Sequence, residues 1–331
     1  MSKPPTLRFL SAAEVRLALP MQEAVEVMKA AFQELSEQRV VVPLRTHVPM
    51  PEHQGGVLVM PVYSPDSALF GLKVITLFEG NPALKLPFIQ GLVTVFETTT
   101  GRPLAIMDGN ALTALRSGAA SGAATDLLAR KDASRVAIFG AGIQSRTQLA
   151  AVCAVRAIRE ARIFDHDRDR AATFAREASL ELGIPVTVAA SSAEALAGAD
   201  VICTATTSAT PVFADHEVPA GVHINAIGSY KPHLCEIPPE TVARAQVVVD
   251  QVAAAWEEAG DLILPLQAGL IGTAHIRAEL GEIVAGTKPG RSDPEAVTFF
   301  KSVGIAIQDL AAASRVLANA EQLGLGTEVA L

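Results

Sequence analysis

The residues best spaced for chemistry lie near the middle of the chain, in Arg135-Val-Ala-Ile-Phe-Gly-Ala-Gly-Ile-Gln-Ser145. A short apolar run ends in Gly140-x-Gly142-x-x-Ser145, and a helical pattern follows from Thr147. A second apolar run, Ala161-Arg-Ile-Phe164, ends in Asp165, 20 residues beyond Ser145. Strand, glycine turn, helix, strand and acid, in that order, form the βαβ unit that holds a dinucleotide. Gly140 permits the tight turn. Gly142 lets the backbone approach a pyrophosphate seated on the helix N-terminus, where free N–H groups point outward. Ile143 and Gln144 complete the cradle, and Ser145 is small enough for close helix–strand packing. Asp165 can accept hydrogen bonds from a ribose 2′-hydroxyl, which favours NAD. Arg168 and Arg170 would instead meet the 2′-phosphate of NADP, or simply open a solvated helix.

The elements around this turn give the architecture. Ser11-Ala-Ala-Glu14 is a capping box, and Pro20 stands where a second helix begins. The apolar positions of that helix, Met21, Ala24, Val25, Met28, Ala31, Phe32 and Leu35, keep helical spacing. Strand-like runs follow at 57–62, 70–78, 92–96 and 103–107, so the first third reads as helices on a largely antiparallel sheet. An Ala-rich helix over 111–130 leads into the dinucleotide region. Beyond Asp165 the βα alternation continues, with Asp167 capping a helix to Leu182 and strands at 186–188, 201–203, 223–227 and 247–249. Six strands in this rhythm suit a doubly wound parallel sheet. A further strand is expected over 297–303, and then a final helix containing Asp309 that returns to pack on the N-terminal region.

Bulk properties narrow the class. The chain has 331 residues, of which 50% are hydrophobic and 19% charged, so it is globular with about two domains. A net charge of −8 with no basic patch argues against a nucleic-acid partner. There is no signal-like N-terminus and no long uninterrupted apolar stretch, so a soluble, cytoplasmic protein with no membrane partner is expected. Cys153, Cys203 and Cys235 show neither disulfide nor metal spacing, and the seven histidines give no metal motif.

Several segments together resemble the ornithine cyclodeaminase/μ-crystallin family over nearly the whole length. They are Pro43-Leu-Arg45-Thr, Val59-Met-Pro61, Gly71-Leu-Lys73, Leu112-Thr-Ala-Leu-Arg116-Ser, Phe139-Gly-Ala-Gly-Ile-Gln-Ser145, Ile224-Asn-Ala-Ile-Gly228 and Phe300-Lys-Ser-Val-Gly-Ile-Ala-Ile-Gln-Asp309. The resemblance implies an α/β fold: a central Rossmann domain over 117–303, and a split α+β substrate and dimerisation domain from 1–116 with 304–331. It also implies NAD or NADP chemistry on a small imino or amino acid, and a homodimer. The short N-terminal sheet, with an edge to cover, agrees with the last of these.

By the same resemblance Arg45, Lys73 and Arg116 form a cationic pocket for a substrate carboxylate, a group that guanidinium grips bidentately. Arg116 can alternatively meet a cofactor phosphate or a backbone carbonyl. Lys73 lies within the strand run 70–78, on the face of Gly71, Ile75 and Leu77. Either it is buried and has a charge partner, or it snorkels to solvent at the sheet edge. Thr206 follows the fourth Rossmann strand, at the carboxyl edge where such sheets bind ligands, and Ile227-Gly228-Ser229 follows the fifth. Ser229 is a candidate to touch substrate, and Ser302 matches a family position near the nicotinamide.

The departures choose among activities. Cyclodeaminases of the family carry an acidic residue just after the Asn-Ala-(Ile/Val)-Gly turn. This chain reads Gly228-Ser-Tyr230-Lys231-Pro232, with no carboxylate before Glu236. An early glutamate associated with cyclodeamination is also missing, where the chain reads Gly55-Gly-Val-Leu-Val59. Cyclising a diamino acid requires a base for the distal ammonium. Reducing a cyclic ketimine requires mainly orientation and a hydride, with Lys73 as the candidate proton donor. The expectation is therefore a ketimine reductase converting Δ1-pyrroline-2-carboxylate to L-proline, with the piperideine homologue as a further substrate. The alternatives are a cyclodeaminase, an alanine-type dehydrogenase, or a small-molecule binding protein like μ-crystallin.

Overall fold

A computed structural model describes residues 6–331. The chain divides into two compact units, one made of the described residues up to Arg116 together with Ile305–Leu331, the other of Ser117–Gly304.

The first unit is built on β1 (Thr6–Leu10), β2 (Thr46–Met50), β3 (Gly55–Ser64), β4 (Leu69–Phe78), β5 (Ile89–Glu97), β6 (Pro103–Asp108) and a C-terminal strand, Thr327–Ala330. The order across the sheet is C-terminal strand, β1, β6, β5, β4, β3, β2. All neighbours are antiparallel except β1 and β6. The four apolar runs read as strands become β3 to β6. β1, β2 and the C-terminal strand are additions; the last two lie at sheet edges and are exposed along most of their length. Alternation along the sheet buries Leu58, Met60, Val62, Lys73, Ile75, Val93 and Val95 on one face. Helix α1 (Ala12–Ala18), opened by both halves of the Ser11–Glu14 capping box, and the C-terminal helix (Ala306–Leu323) pack on the sheet. Helix α2 (Met21–Ser36) buries the expected stripe from Ala24 to Leu35 and packs on the C-terminal helix. A Cβ at Gly71 would lie 3.0 Å from Leu310, so the glycine lets that helix settle closely on β4.

In the second unit helix α3 (Gly109–Leu128), which starts just before the division, packs from its middle against the helix that opens at the glycine turn, α4 (Ile143–Val155). A Cβ at Gly118 would lie 2.5 Å from the Thr147 carbonyl oxygen, so the small residues of α3 permit near backbone-to-backbone packing. Helix α5 (Arg168–Leu182) is capped by Asp167. The strands are β7 (Arg135–Phe139), β8 (Glu160–Phe164), β9 (Val186–Val188), β10 (Val201–Thr204), β11 (His223–Ala226), β12 (Gln246–Val249), β13 (Ile276–Glu279) and β14 (Thr298–Lys301). They form one parallel sheet in the order β13, β12, β14, β11, β10, β7, β8, β9. The sheet thus has eight strands: the expected six, β14 from the run over 297–303, and β13, which the sequence reading did not include. The late strand β14 is central, wedged between β11 and β12 with all four residues buried. The order of strand addition reverses between β7 and β10, the switch point at which such sheets bind ligands. Among the described residues no helix is long and apolar enough to cross a membrane.

Candidate active site

The glycine turn sits at that switch point. Gly140 leaves β7 with φ +96°, and a Cβ there would lie 2.8 Å from the Ala205 carbonyl oxygen. Only glycine suits both the backbone and the space. Gly142 is the N-cap of α4 and faces open space, and no side chain caps the helix. The first N–H groups of α4 are therefore presented to an anion. Ser145 is fully buried behind the turn, whereas Ile143 is exposed. A cleft of about 520 Å³ opens here, lined by Gly140, Gly142, Asp165, His166, Arg170 and Thr206 among others. Asp165 has a role the sequence did not announce, since its carboxylate accepts from the Ala141 N–H at 2.7 Å and the Asp167 N–H at 2.9 Å. It braces the glycine turn while facing the cleft. Arg170 lines the cleft, and Arg168 reaches the Ala190 carbonyl. A glycine that cannot bear a side chain, an uncapped helix start and an acid at the second strand fit a nicotinamide dinucleotide.

Two loops continue the carboxyl edge. Thr206 follows β10, and Ile227-Gly228-Ser229 follows β11. Both are tied to Glu236, which is completely buried. Its Oε1 accepts from the Thr206 N–H at 2.6 Å and the Thr206 hydroxyl at 2.8 Å. Its Oε2 accepts from the Thr204 hydroxyl at 3.0 Å, the Gly228 N–H at 2.8 Å and the Ser229 N–H at 3.2 Å. Burial and the neighbouring Asp261 push the Glu236 carboxyl upward, against Lys301 and Thr206. Asp261 accepts from the Glu236 N–H at 2.7 Å and pairs with Lys301 of β14 at 2.9 Å. Ser229 donates its hydroxyl proton to the Leu234 carbonyl, so this side chain holds its own loop. Ser302 donates to Asp250 at 2.8 Å, and the same carboxylate oxygen accepts from the Val303 and Gly304 N–H groups.

The cations lie in the first unit. Lys73 is buried, not snorkelling, and its Nζ stands 2.7 Å from Asp309 of the C-terminal helix. Arg116, also buried, donates to Asp309 at 3.0 Å and to Gln308 at 2.6 Å. Two cations thus converge on one aspartate. Burial lowers the Lys73 pKa to about 8; Asp309 opposes the fall, and the positive charges of Arg116 and Arg45 add to it. Arg45 is half-buried in the segment before β2 and close enough to act on Lys73. Gln308, Asp309 and Glu236 were not assigned from sequence. A buried lysine demands a counter-ion, and Asp309 stands in the last motif, but only the fold pairs residues so far apart.

The model of the ornithine cyclodeaminase/mu-crystallin family matches residues 6–323. This chain belongs to that family. The family likeness runs the length of individual members. A Delta(1)-pyrroline-2-carboxylate reductase of Bacillus cereus is 39% identical over 97% of this chain and 98% of its own. Among solved structures, the Thermococcus litoralis Delta(1)-pyrroline-2-carboxylate reductase in complex with NADH and L-proline superposes with a TM-score of 0.94. It is 41% identical, over 97% of this chain and all of the other. An archaeal alanine dehydrogenase dimer with bound NAD gives a TM-score of 0.90 at 32% identity, covering 98% of this chain and 99% of the other.

Proposed function

We propose that this family member reduces Δ1-pyrroline-2-carboxylate to L-proline, and its six-membered piperideine homologue to L-pipecolate. The observation that carries the reading is whole-length likeness, at 41% identity, to a reductase of that name solved with NADH and L-proline. A reduced nicotinamide dinucleotide, when bound, supplies the hydride for C2 of the imine. The Gly140–Ser145 turn holds the pyrophosphate and Asp165 the ribose, which favours NADH over NADPH. Arg116 and Arg45 hold the substrate carboxylate, and a second positive charge beside Asp309 suits an incoming anion. Lys73, with a pKa near 8, carries at Nζ a proton it can give to the forming amine. Glu236 does not replace the base that cyclodeamination requires, because both its oxygens already accept from the loops.

In this reading the second unit is the dinucleotide-binding domain and the first serves substrate binding and dimerisation, within a homodimer in the cytoplasm. The dimeric alanine dehydrogenase relative supports the assembly. The test follows reduced-nicotinamide absorbance with NADH or NADPH and Δ1-pyrroline-2-carboxylate, beside a mixture of NAD⁺ and L-ornithine assayed for ammonia. Consumption of reduced cofactor without ammonia is the expected result. Ammonia release with no net cofactor change would replace the reading with cyclodeamination.

A further inference from the structure

We infer that Glu236 is a positioning residue for the cofactor site: one buried carboxylate that fastens the loops after β10 and β11 to each other. This rests on the dinucleotide reading above. The paired ends of β10 and β11, Thr204 opposite Ala226, leave the sheet side by side. Ile227 makes the last rung, donating its N–H to the Thr204 carbonyl at 3.1 Å, and the N–H groups of Thr206, Gly228 and Ser229 beyond it need another acceptor. Glu236 supplies it, dividing its oxygens between the loops. Oε1 serves Thr206, whose residue lines the cofactor cleft, and Oε2 serves Gly228 and Ser229. The loops are pressed together tightly enough that a Cβ on Gly228 would lie 2.2 Å from the Thr206 carbonyl oxygen and 2.6 Å from Glu236 Oε1. The carboxylate is itself aimed. Asp261 accepts the Glu236 and Ile237 N–H groups and is anchored by Lys301, which extends from the central strand β14.

Three of the partners are backbone N–H groups, which can only donate, and an ionised carboxylate accepts from all of them. It is acceptor-only, so all five donors can converge on it. The isosteric amide keeps one acceptor oxygen and turns the other position into a donor. Glu236→Gln can therefore satisfy one loop and must repel the other.

The experiment is amide hydrogen exchange on the cofactor-free protein, paired with NADH titration by fluorescence. In Glu236→Gln, exchange at Thr206 or at Gly228–Ser229 should rise about tenfold or more, as expected for the loss of one hydrogen bond to a charged group. Protection in β7 and β8 should hold. The Kd for NADH should rise by about the same factor, with the KM for the imino acid within about twofold. Uniform loss of protection across 117–304 would overturn the proposal by making Glu236 a general stability residue, and so would unchanged exchange in both loops. If that variant does not fold, Thr206→Val removes one donor to Oε1. It should raise exchange at 206–208 alone and the NADH Kd about threefold, a modest hydrogen-bond effect, and no change in either overturns the proposal. Silence of the pyrroline assay with NADH binding intact would defeat the substrate reading and leave this proposal standing. Failure of the unaltered protein to bind NADH or NADPH would defeat both.

Discussion

Lys73 shows how a charged residue placed in a strand acquires a function-grade pKa. Alternation drives it into the face that also buries Ile75, and the C-terminal helix supplies Asp309 at 2.7 Å. Burial wins over the ion pair, and the ammonium is left titrating at about 8. The free enzyme should therefore lose kcat/KM as pH rises through about 8, because the deprotonated amine neither attracts a carboxylate nor donates a proton. Asp309 raises the Lys73 pKa, so Asp309→Asn should move this limb to lower pH in a kcat/KM profile. It should also cost about 3–5 kcal/mol of stability in urea melts, the usual penalty for leaving a buried charge unpaired. Asp165 likewise combines a structural bond with a binding role. Its carboxylate braces Ala141 and faces the cleft, so Asp165→Ala should raise the KM for NADH by about tenfold and that for NADPH by less. A larger effect on NADPH would show that Arg170 governs the choice. The glycine turn and Asp165 were legible because their geometry is local, set within one strand–turn–helix–strand segment. The partners of Lys73, Arg116 and Thr206 were not, because the pairs Arg116–Asp309 and Thr206–Glu236 lie 193 and 30 residues apart. Periodicity says which face a side chain takes and nothing about which distant chain segment meets it.

At the scale of elements, β14 is the informative surprise. Its apolar pattern identified a strand but not its place, since a parallel strand buried on both faces looks alike anywhere in the sheet. What fixes it includes polar pairing to its neighbours. His223 of β11 bonds Thr298 of β14 at 2.9 Å through Nδ1 and Asn225 at 3.1 Å through Nε2, and Asn225 donates to Thr125 of α3 at 2.9 Å. Full burial, helped by the charge of Arg291, depresses His223 to about 3. The folded state therefore keeps this imidazole neutral, while the unfolded chain takes up a proton below its ordinary value of 6.5. Stability from this group is present above that value and is lost as pH falls toward 3. The urea midpoint should drop between pH 7 and pH 5, and His223→Gln should flatten that slope. An unchanged slope in the variant would place the acid sensitivity elsewhere.

For the whole molecule, the first unit's sheet has two unlike faces. One meets α1 and the C-terminal helix. The other carries Val57, Val59, Leu72 and Val74, all half-buried, with Leu92 54% exposed. A second copy laid over this apolar face is where the homodimer reading puts the interface. Val59→Glu combined with Leu72→Glu should convert the dimer to a monomer in light scattering after gel filtration. A dimer that survives would put the interface on another surface.

In the first unit β1 also pairs with the C-terminal strand, Thr6 opposite Ala330 and Phe9 opposite Thr327. This has a consequence for biosynthesis. A ribosome releases β3 to β6 early, then all of Ser117–Gly304, and only afterward the helix that must lie on that sheet. Lys73 has therefore to wait for Asp309 through the synthesis of an entire second unit, which can fold as it emerges. During that interval the nascent sheet shows apolar surface on both sides, because the helix that covers one of its faces has yet to be made.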